Sequence, residues 1–374
     1  MSRLFADLVR WKGRQAFRLS NGEIETTVLL GGGHVADLRL CGSPVNALWE
    51  APWPTIEPYE FDNERHSPLY GSRNVGQMLS GYTGHAVAIP YFGLPSAADA
   101  KRGLTLHGEA ASTNWTIESG SLGEGSVRVT LRANLPMSAL QFRRTLHAAP
   151  NSSFLTVTES VKNQSAETRD FQWVQHVAFG EPLFTPGESS LILSGDRGLT
   201  WPLGYEGQEL LPNSLEFHWP LAAGNDLSLP FLQDGTGFVA AIRVDSRRRD
   251  AFIAVHNRRS ALAAGYVFDS ERFPWIALWE ENRARTYPPW NGQTRVRGVE
   301  FGTSPMPLGL EEAQRTRQFF ETPVVATIGG DAELQTSYQM FVTKTPRDWQ
   351  GLRDVRSKKD QLQLESNIGA ELLL

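Results

Sequence analysis

The chain has 374 residues, 40% of them apolar, 10% aromatic and 21% charged, enough for one large or two ordinary domains with a sizeable core. Its 36 basic and 41 acidic residues leave a net charge of −5, and the densest basic cluster, Arg247-Arg248-Arg249, sits between Asp245 and Asp250, so no basic stripe suited to nucleic acid is present. The only cysteine, Cys41, excludes intrachain disulfides and cysteine-based metal clusters.

The amino terminus, Met1 to Trp11, carries Arg3, Asp7 and Arg10 in place of an apolar signal-peptide core. No later run approaches the roughly 18 apolar residues of a membrane-spanning helix. The expectation is a cytoplasmic protein with no membrane partner. Short runs of alternating polarity then follow one another: Ile24 to Leu30, Val127 to Leu131, Leu155 to Val161, Leu191 to Leu193, Phe238 to Val244 and Arg295 to Phe301. The 34 glycines and 22 prolines are scattered between them. Period-two patterning with such breaks predicts an all-β sandwich or barrel of antiparallel strands with few short helices. Gly31-Gly32-Gly33-His34 lacks the Lys and Ser/Thr of a phosphate loop and reads as a strand-to-strand turn. Leu308 to Phe320 suits a short helix. Thr345 to Leu364 suits a longer one, with Thr345 as cap, Pro346 in the first turn, and Trp349, Leu352 and Val355 at three-residue spacing. The predicted organisation is a β-rich body over residues 1–345 and a helical appendage with a leucine-rich tail over 346–374, the tail docking on the body or forming a homodimer contact.

Several of the eleven tryptophans lie beside polar residues, notably Trp49, Trp53, Trp115, Trp275, Trp279 and Trp290. Aromatic faces with convergent polar groups are what a small polar ligand such as a sugar requires. None of the eight histidines forms a helical HExxH pair, so a zincin is unsupported while a His-based metal site assembled from separate strands stays open, and no dinucleotide or P-loop motif occurs. Three strings stand out. In Gly103-Leu104-Thr105-Leu106-His107-Gly108-Glu109-Ala110, alternation predicts His107 and Glu109 on one strand face. Phe171 to Gly180 carries His176. Arg297 to Pro305 carries Glu300, on the face opposite Val299 and Phe301.

At these places the sequence resembles the aldose 1-epimerase (galactose mutarotase-like) superfamily. Leu106-His107-Gly108 before Trp115 is similar to the family's leucine-His-Gly string, His176 after the Leu155 to Asn163 strand to its second histidine, and Glu300 in a Gly-apolar-Glu string to its late glutamate. Leu30 to Leu38 resembles the family's opening β-turn-β. The resemblance spans most of residues 20 to 310 and implies a galactose mutarotase-like β-supersandwich with a groove for a monosaccharide or sugar derivative. It also implies general acid–base catalysis without a metal or cofactor. Glu300 would be the base on the anomeric hydroxyl, His176 the acid on the ring oxygen, the two on opposite sides of C1, and His107 a hydroxyl or ring-oxygen donor. Glu109, Trp279, Arg73 in Gly71-Ser72-Arg73-Asn74, and Arg285 are the further substrate-binding candidates, with Asp226 or Asp269 as the family's aspartate. The chain departs from the family in its Arg string, in Val177-Ala178-Phe179-Gly180 after the second histidine, and in Glu109 where a second glycine is common. Two alternatives remain at this level: a carbohydrate-binding protein without turnover, and a hexose-6-phosphate 1-epimerase in which Arg283, Arg285, Arg295 and Arg297 converge on the phosphate.

Overall fold

In the computed structural model, which describes residues 4–123, 126–358 and 361–374, two large antiparallel sheets face each other. The thirteen-stranded sheet runs from Phe5–Trp11 at one edge through His85–Ala88, Val174–Phe179, Arg295–Gly302, Trp275–Asn282 and Thr236–Val244 near its middle. The eight-stranded sheet contains Ser126–Leu135, Leu140–Ala148, Phe154–Asn163, Leu262–Asp269 and Glu333–Lys344. The alternating runs become strands because each can turn one face inward. Val127, Val129, Leu131, Ala133 and Leu135 are all buried, and Leu140, Phe142, Leu146 and Ala148 pack beside them. Burying each such leucine or phenylalanine side chain contributes about 1.5–3 kcal/mol.

The middle strands of the large sheet are buried on both faces, and their alternation separates core from cleft. Val177, Phe179, Ile276, Leu278, Val299 and Phe301 point into the sandwich. His176, Ala277, Trp279 and Glu300, of opposite parity, line the outer, concave face. A polar network stiffens the core directly beneath. Arg144 Nε donates to Glu159 Oε1 at 2.6 Å, Gln175 Nε2 donates to Glu159 Oε2 at 2.6 Å, and Tyr338 Oη donates to Glu159 Oε1 at 2.9 Å. A buried ion pair survives only when the remaining lone pairs and N–H groups are also satisfied. Here that satisfaction ties down Gln175, the neighbour of His176.

Helices are few and short: Asn63–Tyr70, Arg73–Leu79, Ala97–Lys101 and Leu310–Thr316 among the described residues, the last inside the predicted Leu308–Phe320 segment. None is long and apolar enough to cross a membrane. The predicted carboxy-terminal helix is corrected. Leu352–Lys358, Gln361–Ser366 and Glu371–Leu373 form a three-stranded antiparallel sheet. A bulge sits between Leu352 and Asp354, where the register to Ser366 and Glu365 shifts. That extra residue brings Leu352 and Val355 onto one buried face, so a spacing of three that reads as helical is the spacing of a bulged strand. Residues Leu372 and Leu374 pack with Trp349, Leu352, Val355 and Leu364 against Phe252 and Phe341 of the eight-stranded sheet. The leucine tail thus docks on its own body.

Candidate functional site

His176 and Glu300 meet across two neighbouring strands. Gln175 pairs with Phe301 and Ala178 with Gly298, which places His176 opposite Glu300, and Ala277 pairs with Glu300 from the other side. His176 Nε2 lies 3.2 Å from Glu300 Oε1, and both side chains are almost fully buried. His176 Nδ1 lies 2.9 Å from the hydroxyl of Tyr82. The second carboxyl oxygen, Glu300 Oε2, is buried without a partner.

Burial pushes the Glu300 carboxyl well above its ordinary range and lowers His176 to about 3, because each charged form loses hydration. Both shifts favour the uncharged forms, an acid carboxyl beside a neutral imidazole. Passing one proton from carboxyl to ring turns the same pair into carboxylate and imidazolium without changing its proton count. Burial holds the Tyr82 phenol well above 10, and a charge on Glu300 raises it further, so Tyr82 keeps its proton. For Nε2 to accept the carboxyl proton the neutral ring must carry its own proton on Nδ1 and donate it to the Tyr82 hydroxyl, a contact that persists when the ring is charged.

His107 reaches the same place from a loop. The ring centroids of His107 and His176 are 4.7 Å apart, and His107 stacks on Phe92 at 5.1 Å. Gly93 N–H donates to His107 Nδ1 at 3.2 Å, which leaves the ring proton on Nε2, the donor that faces the cavity. Burial, then the neighbouring His176, keeps His107 uncharged. The backbone here is tightly specified: His107 has φ 62° and Gly108 φ 87°. A Cβ on Gly108 would strike the carbonyl oxygen of Ile89, so only glycine fits.

These groups form the floor of a cleft of about 530 Å³. Trp279 and Trp290, 5.9 Å apart edge to face, make one wall. Trp279 Nε1 donates to Tyr205 Oη at 2.8 Å, and Tyr205 Oη donates to Glu281 Oε2 at 2.8 Å. The Arg285 guanidinium lies 4.6 Å over Tyr205 and 5.0 Å over Trp290, and Arg285 Nε donates to Glu206 Oε1 at 3.0 Å.

The structure therefore brings together His107, His176, Trp279, Arg285 and Glu300, and two predicted residues lie elsewhere. The Glu109 carboxylate accepts from Met137 N, Ser138 N and Ser138 Oγ at 2.6–3.1 Å, so it anchors the turn Pro136–Ala139. The predicted shared face of His107 and Glu109 fails because the segment is a left-handed turn, where residues two apart do not face alike. Arg73 is exposed at the start of a short helix and does not line the cleft. Asp226 accepts from Ser228, and Asp269 pairs with Arg249; neither is in the cleft. The arginine cluster also disperses. Arg283 and Arg295 share Asp234, and Arg297 is buried against Glu280, which leaves Arg285 alone at the cleft. Tyr82, Phe92, Tyr205 and Trp290 complete the site, although only Trp290 carried a sequence signal. Among the described residues no cluster of His, Cys, Asp and Glu has the geometry of a metal site.

No protein-family model and no curated protein matches the chain. Solved structures do. A candidate aldose 1-epimerase from Klebsiella pneumoniae subsp. pneumoniae superposes with a TM-score of 0.65 at 17% identity, covering 90% of this chain and 82% of that one. A galactose mutarotase-like protein from Clostridium acetobutylicum gives 0.61 at 16% identity, with 91% and 99% covered. A galactose mutarotase related enzyme from Lactobacillus acidophilus gives 0.54 at 14%, with 88% and 98% covered. The chain has the galactose mutarotase-like fold. His107, His176 and Glu300 converge on the concave face of its large sheet.

Proposed function

We propose that the protein is an isomerase that interconverts the anomers of a cyclic sugar or sugar derivative. The observation that carries this reading is the buried His176–Glu300 pair, with Tyr82 on Nδ1 and one carboxyl oxygen unpaired at the cleft floor. The aldose 1-epimerase description of a structural neighbour supports it.

In this reaction the anomeric O1–H loses its proton, the C1=O1 double bond forms, and the C1–O5 bond breaks with its electron pair going to O5, which takes a proton. Rotation of the aldehyde and the reverse steps give the other anomer, so no atom is gained or lost. O1 and O5 sit on one carbon, and a base and an acid 3.2 Å apart match two such neighbouring oxygens. The acid and base therefore work side by side, not from opposite sides of C1. Glu300 in its carboxylate form takes the O1 proton, and His176 in its imidazolium form protonates O5. His107 Nε2–H donates to whichever oxygen carries the developing charge. Burial keeps the proton on the carboxyl, and hydrogen bonds from O1–H to the Glu300 carboxylate and from the His176 imidazolium to O5 favour the charged forms that the reaction uses.

The test is anomer exchange by NMR on the purified protein with a panel of aldoses, their derivatives and their 6-phosphates. Exchange above the spontaneous rate that disappears in Glu300→Gln supports the proposal. Binding without acceleration on every compound would point to a carbohydrate-binding protein of the same fold.

A further inference from the structure

A sugar held by its hydroxyls needs polar side chains with free lone pairs or N–H groups, and the cleft has already committed most of its own. Tyr70 Oη donates to the carbonyl of Pro54 at 2.7 Å. Tyr205 sits between Trp279 and Glu281. Glu206 accepts from both Arg285 and Tyr287. Among the described residues the one Lys or Arg at the cleft, Arg285, lies between two aromatic rings with Glu206 and Glu281 as counter-charges. Beyond the three groups at the floor, the polar side-chain groups of the cleft without a hydrogen bond to the protein among the described residues are Ser72 Oγ, the indole N–H groups of Trp201 and Trp290, and the two Nη groups of Arg285, of which Nη1 faces the Glu281 charge at 3.6 Å.

What remains of the surface is apolar. Val75, Met78, Leu79 and Leu106 belong to one apolar cluster along the cleft, and Phe92, Leu94, Val239 and Pro307 line it as well. Leu94 stands 57% exposed at the rim, where a single polar substitution would have satisfied a ligand hydroxyl. A cleft of about 530 Å³ is also larger than one pyranose ring fills. Hydroxyls buried against such walls would lose water and gain no partner, whereas methyl, alkyl, acyl or aryl groups would gain contact.

Resting on the anomer-exchange reading, we infer that the substrate is a cyclic hemiacetal whose side remote from C1 is apolar, a deoxy sugar or a sugar bearing an apolar substituent. A free hexose and a hexose 6-phosphate are both poor fits. The phosphate would meet no unpaired cation and would face Glu206 and Glu281. The reacting end is recognised by His107, His176 and Glu300, and the remote end by the aromatic and aliphatic walls.

The experiment compares kcat/KM for anomer exchange on glucose, 6-deoxyglucose, 6-O-butanoylglucose and glucose 6-phosphate. The expected order rises from phosphate through free hexose to the 6-deoxy and 6-acyl compounds. Each step from hydroxyl to apolar group is worth about tenfold or more, and Leu94→Asn should narrow that ratio. Equal or higher kcat/KM for the free hexose or the phosphate overturns the inference and leaves the isomerase reading standing. If no compound exchanges, the isomerase reading fails by itself, and binding of the same four compounds, followed by tryptophan fluorescence, decides the inference. Tighter binding of the 6-acyl compound upholds an apolar ligand class, and no preference overturns it.

Discussion

The absence of a side chain at Gly298 creates the space that Glu300 Oε1 occupies. A Cβ built on Gly298 would overlap that oxygen and come within 3.1 Å of Cε3 of Trp279. Gly298 lies in the middle of the strand Arg295–Gly302 and has no left-handed φ, so the backbone itself would accept alanine. Glycine inside a strand weakens it, and close approach of the two cleft residues explains its presence. Gly298→Ala should therefore fold, displace the carboxyl, and lower kcat/KM by about a hundredfold, since small displacements of a reacting group have that effect. Circular dichroism and anomer exchange on one preparation check this. A variant with normal exchange would show that Glu300 Oε1 is not where the base must sit.

Tyr82 is the residue whose loss should separate positioning from binding. Its hydroxyl contacts His176 Nδ1 at 2.9 Å and serves both protonation states of the ring. Phenylalanine keeps the edge-to-face packing, now at 5.2 Å between ring centroids, but leaves Nδ1 bare. Tyr82→Phe is expected to lower kcat by about ten- to a hundredfold with KM little changed, and to move the alkaline limb of the pH–rate profile. In the wild type that limb marks loss of a proton from the His176–Glu300 pair. It should lie above the ordinary carboxylate range, because burial raises Glu300.

The buried titratable groups also set the pH dependence of stability. Burial, reinforced by Arg14, lowers His34 to about 3, and burial lowers His256 to about 4, both from 6.5. The unfolded chain binds these protons near pH 6.5 and the folded chain does not. Stability from neutral His34 and His256 is therefore complete above about pH 6.5 and falls as the pH drops toward 4, by up to about 1.4 kcal/mol per pH unit for each. Urea unfolding between pH 7.5 and 4.5 measures the slope, and His34→Gln should reduce it by one proton. Glu300 has the opposite sign. Its folded carboxyl titrates above the unfolded value, so its stability is present at low pH and is lost as the pH rises through the folded value. Glu300→Gln should then be more stable than wild type at pH 8, by on the order of 1–2 kcal/mol, and inactive.

The strands and most of the cleft floor were legible in the sequence for one physical reason. Alternation forces His176 and Glu300 off the core face once Val177, Val299 and Phe301 are assigned to it. What alternation cannot reach is irregular backbone. Tyr82 follows the helix Arg73–Leu79 in a turn and has no periodic neighbours to orient it. His107 and Glu109 look like strand partners until the φ of 62° at His107 turns them apart. The carboxy-terminal segment misleads in the reverse direction, because the bulge at Leu352–Asp354 imitates a helical spacing.

That last segment makes a prediction of its own. Its sheet covers the outer face of the eight-stranded sheet, where Leu364 and Val355 are fully buried against Phe252 and Phe341. Arg248 reaches across to Asp354 and donates through Nη2 to the carbonyl of Val355 at 2.8 Å. Deleting buried methyl groups here leaves a cavity between two sheets that cannot collapse independently. Leu364→Ala should cost about 2–5 kcal/mol and expose the outer sheet face, while KM and kcat at temperatures below unfolding stay at wild-type values, because no residue of this sheet lines the cleft. Denaturant titration and anomer exchange on the same variant test both parts. A change in KM at full folding would mean that the carboxy-terminal sheet is coupled to the cleft through the strands it covers.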